Sequence, residues 1–138
     1  MTTTTVHTTP ISLSRNVITV LGATAAALAA WSLETAVLRV DLAVAMGPTR
    51  QPVTAVAVVL TALLAGIGGS VVARLLTRFA GRRARTAWTA VAGLVLVLSL
   101  LGPLGATSPA AVVSLAVLHL VVGFTLLIGL RPARGYGE

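Results

Sequence analysis

The chain has 138 residues, of which 57% are hydrophobic and only 9% charged, with a formal net charge of +7. A soluble domain usually carries about a quarter charged residues, so this composition and a mean hydropathy of +1.00 exclude an ordinary water-soluble fold and make lipid the solvent for most of the chain. Cysteine is absent, which excludes disulfides, thiolate metal sites and cysteine nucleophiles together.

Met1 to Pro10 holds six threonines and His7 with little apolar content, and residues 1–14 read as a disordered cytoplasmic tail. A spanning helix needs about 20 predominantly apolar residues to cross about 30 Å of hydrocarbon. The first such run, 17–38, follows Arg15 and is interrupted only by Glu34. Its rival reading is a cleaved signal peptide ending near Ala27-Leu28-Ala29; the apolar run continues to Leu38, which favours an uncleaved span. Residues 39–51 form an outer connection long enough for a little extra structure. Pro52 is expected to open the second span, 53–73, because the first helical position tolerates a missing N–H. After the arginine-rich segment from Arg74 to Arg85 comes the third span, 87–104, whose frayed end contains Gly102 and Pro103; Gly105 completes a tight turn. Ser108 and Pro109 read as cap and first residue of the fourth span, 110–130, which Pro132 stops; residues 133–138 form a short cytoplasmic tail.

The apolar runs lack strict alternation and exceed the roughly 10 residues of a barrel strand, so strands are disfavoured. Helices satisfy their backbone groups internally, and the expected fold is all-α: a transmembrane four-helix bundle, up-down-up-down. Placing both termini on the cytoplasmic side puts eight arginines inside and two, Arg39 and Arg50, outside, the arrangement the positive-inside rule favours. All ten basic residues are arginine, which matches the codon bias of a GC-rich bacterium and places the chain in a bacterial cell membrane as a multi-pass protein. The Arg74–Arg85 segment has no aromatic interleaving beyond Phe79. It reads as attraction to anionic lipid head groups, about 1 kcal/mol per arginine, rather than as a nucleic-acid contact.

Ionisable groups at membrane depth are costly and draw attention to function. His119 lies mid-span, roughly 13 Å below the outer boundary at 1.5 Å per residue; Thr61 lies roughly 12 Å deep and Glu34 about 6 Å. His119 and Thr61 therefore share a layer. A neutral His119 bonded to that hydroxyl or to a backbone carbonyl would act as packing glue; the alternatives are a proton acceptor, since histidine changes charge near neutrality, and a ligand contact. For Glu34 the expected arrangement is a carboxylate at the outer interface paired with Arg39 or Arg50, against a coupling carboxylate as the alternative. The small multidrug transporters, four-helix proteins with a glutamate in the first helix, resemble the chain in topology only; the residues Trp31-Ser32-Leu33-Glu34 do not reproduce their motif. Gly22, Ala26 and Ala30 on the first span, and Ala62-Gly66-Ser70 with Ala65-Gly69-Ala73 on the second, are small-residue stripes suited to close helix packing within the chain or in a dimer. Trp31 and Trp88 read as packing and interface anchors. No carboxylate pair, histidine cluster, phosphate-cradling loop or serine-base arrangement appears, so no enzyme activity, cofactor or metal is expected.

The stretches Arg85-Thr86-Ala87-Trp88, Leu98-Ser99-Leu100-Leu101-Gly102-Pro103 and above all Leu118-His119-Leu120-Val121-Val122-Gly123 resemble a family of small actinobacterial four-span membrane proteins of unknown function. The resemblance covers the last three helices. It implies topology and source, transfers no catalytic or binding residue, and places His119 within a matching motif. Two roles follow: a non-enzymatic accessory or structural membrane component that holds a membrane partner or homo-oligomer together, or a small proton-coupled carrier using His119 with or without Glu34.

Overall fold

The structure, a computed structural model, describes residues 11–132. The expected tails at 1–10 and 133–138 lie outside the described residues. Helix α1 spans Ile11–Ser32, so residues 11–14, expected as tail, are helical. Its end widens into a π turn, Leu33–Val37, and Arg39 then takes a left-handed conformation with φ 53°.

The connection at 39–51 contains a β-hairpin, which corrects the all-α expectation. Strand β1, Ala43–Met46, pairs antiparallel with β2, Thr49–Pro52, with Met46 opposite Thr49 and Ala43 opposite Pro52. Gly47 supplies the positive φ, 63°, that a two-residue hairpin turn of this hand requires. The hairpin is tied to a segment distant in sequence: Val44 forms a bridge with Ala106, and the Thr107 N–H donates to the Ala43 carbonyl at 3.0 Å. Pro52 therefore closes a strand instead of opening a helix.

Helix α2, Ala55–Ala80, starts at Thr54, whose hydroxyl accepts from the Ala57 N–H at 3.2 Å. It runs past the expected end at Ala73, carrying Arg74 and Arg78 on its last turns, where a helix C-terminus favours cations. The arginine-rich segment is thus mostly helix. Only the short 3₁₀ turn Gly81–Arg83, with Gly81 at φ 46°, separates α2 from α3, Ala84–Ser99. Helix α3 begins earlier than expected and stops short of Leu104, because Pro103 lacks an N–H and the chain turns through a second 3₁₀ segment, Gly102–Gly105. Helix α4, Pro109–Gly129, opens as expected: Ser108 accepts from the Ala111 N–H, and Pro109 occupies the first turn.

Helix α1 packs against α2 and α4, and α3 packs against the same two. One core cluster is built from Val20, Ala23, Ala73, Trp88, Leu126 and Leu130; the other gathers Leu42, Ala111, Leu115 and Leu118, with Trp31, Val44 and Ala106 against them. Glycines set the approach between helices. A Cβ on Gly66 would meet Val20 at 2.6 Å, one on Gly123 would run into Leu96, and one on Gly129 into Thr19. The stripe expected on α1 is displaced by one position: Ala23 and Ala27 are buried, at 0% and 1% exposure, while Gly22 faces open space. On α2 the seam combines both expected stripes, with Ala62, Gly66 and Ala73 buried.

Large side chains such as Ile18, Leu21, Leu60, Leu64, Ile67, Leu94 and Ile128 point outward. Three helical stretches among the described residues, Ser14–Val37, Ala55–Gly105 and Pro109–Gly129, are long and apolar enough to cross a membrane. The middle one folds back on itself at Gly81, since α2 packs along α3.

Candidate functional site

The three residues singled out by depth are not brought together; no hydrogen bond among the described residues joins any two of them. Thr61 is exposed on the outer face of α2. Depth along a helix does not fix the direction of a side chain, and α2 turns Ala62, not Thr61, inward.

His119 is half-buried on α4, and its Nδ1 lies 2.7 Å from the Leu115 carbonyl one turn earlier. A carbonyl can only accept, so Nδ1 carries the hydrogen of this contact. Nε2 faces the turn after α3, where a Cβ on Gly102 would lie 3.9 Å from it. Of the two glue partners expected, the structure uses the backbone carbonyl, and on the histidine's own helix.

Glu34 departs furthest from expectation. Its side chain is 6% exposed, and Oε2 is buried with no hydrogen-bond partner among the described residues. The expected ion pair with Arg39 or Arg50 does not form: Arg50 pairs with Asp41 across the hairpin, and Arg39 is exposed. Glu34 continues the buried face of α1 beyond Val20, Ala23 and Ala27, which is why the carboxylate turns inward. Trp31, one turn before it, anchors this end by donating from Nε1 to the Val53 carbonyl at 2.9 Å, and the Thr35 hydroxyl donates to the Trp31 carbonyl at 2.8 Å.

Sequence reasoning missed Ser114, the other polar side chain in the interior, at 7% exposure. Helices α1 and α4 run antiparallel, with Arg15 donating to the Arg131 carbonyl and Thr19 against Gly129. Counting equal numbers of residues along both helices from Thr19 and Gly129 brings Glu34 level with Ser114. A serine beside the apolar seam Ala111-Leu115-Leu118 was the available signal. Among the described residues the other buried side-chain polar atom without a partner is Nε of Arg131, near the end of α4.

Two surface grooves complete the geometry. One, about 480 Å³, runs along Ala106 to Pro109 and Val112; the other, about 260 Å³, lies between α1 and α2 beside Asn16, Ser70 and Arg74. Neither is lined by Glu34, Thr61 or His119. Among the described residues no group of three His, Cys, Asp or Glu side chains could hold a metal ion. Trp88, 3% exposed, donates from Nε1 to the Leu127 carbonyl at 3.0 Å and is a packing residue.

The model of a family of unknown function, DUF6069, matches residues 7–135. The chain belongs to that family. The DUF6069 match takes in every described helix and the hairpin, so Glu34, Ser114 and His119 all lie within it. No curated protein and no solved structure matches the chain. Membership in DUF6069 brings no residue role with it, and the arrangement of side chains is the basis for any functional reading.

Proposed function

We propose that this DUF6069 chain is a four-span integral membrane protein, an up-down-up-down bundle with both ends on the cytoplasmic side of a bacterial cell membrane, and that it serves as a non-enzymatic accessory or structural component. Its side-chain distribution supports the membrane setting: many large apolar residues, Ile18, Leu60, Leu64 and Ile128 among them, face outward, while small residues such as Ala23, Ala27, Ala62 and Ala73 line the helix contacts. The turn at Gly81, with α2 packed along α3, supports reading the Ala55–Gly105 stretch as two spans. Arg15, Arg131 and the Arg74–Arg85 segment gather at one end and Arg39 and Arg50 at the other, which supports an arginine-rich cytoplasmic face resting on anionic head groups. The actinobacterial source implied by the resemblance agrees with the all-arginine composition.

The observation that carries the accessory role is the state of His119. Its Nδ1 hydrogen is taken by its own helix and it borders neither groove, so it serves packing. A membrane partner or second copy would meet the outward face of α1, where Gly22, Ala25 and Ala29 are exposed. One observation favours the second reading, a proton-coupled carrier: the unpartnered Oε2 of Glu34. Proteoliposomes holding a pH gradient distinguish them. The accessory role expects wild-type protein to leave the gradient decaying as in protein-free liposomes; a proton flux abolished by His119→Gln or Glu34→Gln establishes the carrier.

A further inference from the structure

Three irregularities meet at the outer end of α1. The helix widens into the π turn Leu33–Val37, Arg39 stands in the left-handed region, and within the π turn Glu34 buries an oxygen that nothing contacts by hydrogen bond. Isolated π turns concentrate at functional sites, and a non-glycine residue at positive φ persists only where its surroundings hold it there.

An ionised carboxylate buried without a counter-charge is strongly unfavourable, so the group must be neutralised. The charged and titratable groups around it do not do this. Short of Arg39, α1 offers no partner; Asp41 and Arg50 of the hairpin bind each other; α2 carries no charge before Arg74; and α4 presents the uncharged Ser114 at this level, with His119 deeper and engaged through Nδ1 with Leu115. A hard metal ion takes roughly six or more oxygen ligands, and one carboxylate with one hydroxyl falls far short. An organic cation needs space, and Glu34 is 6% exposed and lies outside both grooves described.

We propose that Glu34 is a proton-binding site: its carboxyl group, buried within the π turn at the end of α1, is held neutral by a single exchangeable proton. Uptake converts the carboxylate to the carboxylic acid with a proton from solvent, and no other group changes. This goes beyond the accessory role and does not depend on the chain moving protons across the membrane, since occupancy of the site and flux through the protein are separate measurements.

Infrared spectroscopy of the full chain in lipid nanodiscs tests it. The chain holds three acidic residues, Glu34, Asp41 and Glu138, so the assignment is tractable. Expected near pH 7 is a carboxylic-acid C=O band in the wild type and in Asp41→Asn, shifted in D₂O, reversibly removed at strongly alkaline pH and lost completely in Glu34→Gln. A wild-type spectrum without the band at pH 7, a band that persists in Glu34→Gln, or a band that neither exchanges in D₂O nor disappears in alkali overturns the proposal.

Discussion

Gly66→Ala set beside Gly22→Ala isolates what the glycine contacts contribute. A Cβ at Gly66 would stand 2.6 and 2.8 Å from the two γ carbons of Val20, whereas nothing lies within 4 Å of one at Gly22. Val20 is 9% exposed, and as a β-branched residue in a helix it has essentially one rotamer, so it cannot swing aside. Overpacking of this kind costs about 1–3 kcal/mol. Replacing glycine by alanine within a helix also brings a gain of roughly 0.5–1 kcal/mol. That gain is common to both variants and cancels in the comparison, so Gly66→Ala should be less stable than Gly22→Ala by about 1–3 kcal/mol. Reversible unfolding in mixed micelles by SDS titration, followed by the fluorescence of Trp31 and Trp88, measures the difference. Adding Val20→Ala to Gly66→Ala should recover part of the loss, with a coupling energy of about 1 kcal/mol or more. Equal stability of the two single variants, or strict additivity in the double variant, would refute the close α1–α2 approach.

Because the chain has no cysteine, single cysteines report its topology directly. Met46→Cys on the hairpin should react with an impermeant maleimide in intact cells, and Arg82→Cys should react only after permeabilisation; the opposite pattern reverses the proposed orientation. Trp31→Phe removes the N–H donated to the Val53 carbonyl and should cost about 0.5–1.5 kcal/mol in the same unfolding assay. It should also speed hydrogen exchange at the Val53 amide, which donates to Leu42. Asp41→Asn breaks an ion pair whose side chains are 73% and 56% exposed, so its effect on stability should stay below about 1 kcal/mol and vanish in high salt.

The helices were legible because each carries a long apolar run, and the start of α4 because Ser108 and Pro109 suit their positions chemically. The arginines misled about element ends: Arg74 and Arg78 look like loop residues, yet Leu76 lies between them and packs against the core, so the helix continues through both. The hairpin was illegible because Ala43–Met46 and Thr49–Pro52 carry no alternating pattern of their own. Their order comes from pairing with each other and from bonds to Ala106 and Thr107, more than fifty residues away in sequence. Depth from residue counting placed Thr61 and His119 in one layer but said nothing about rotation about each helix. In an alanine-rich helix every face contains small residues, so the stripe Gly22-Ala26-Ala30 was as plausible a seam as the one actually buried. That choice decided Glu34 too: once Ala23 and Ala27 define the buried face, the residue a further seven along must turn inward.

The two polar candidates differ in what their surroundings ask of them. His119 sits where α3 reaches its end, with Nε2 toward the turn at Gly102, and its Nδ1 is satisfied within one turn of its own helix. Glu34 is different. It is buried, and no donor among the described residues reaches its Oε2. A leucine at position 34 would satisfy the packing at no electrostatic cost, and a regular α-turn would satisfy the backbone. The chain instead keeps a carboxyl group, a π turn and a left-handed arginine together within a few residues, each unfavourable alone. Chance placement of three such features at one spot is a poor account of them; a carboxyl retained for the proton it holds explains the first, and a wide turn that keeps it on the buried face of the helix explains the second.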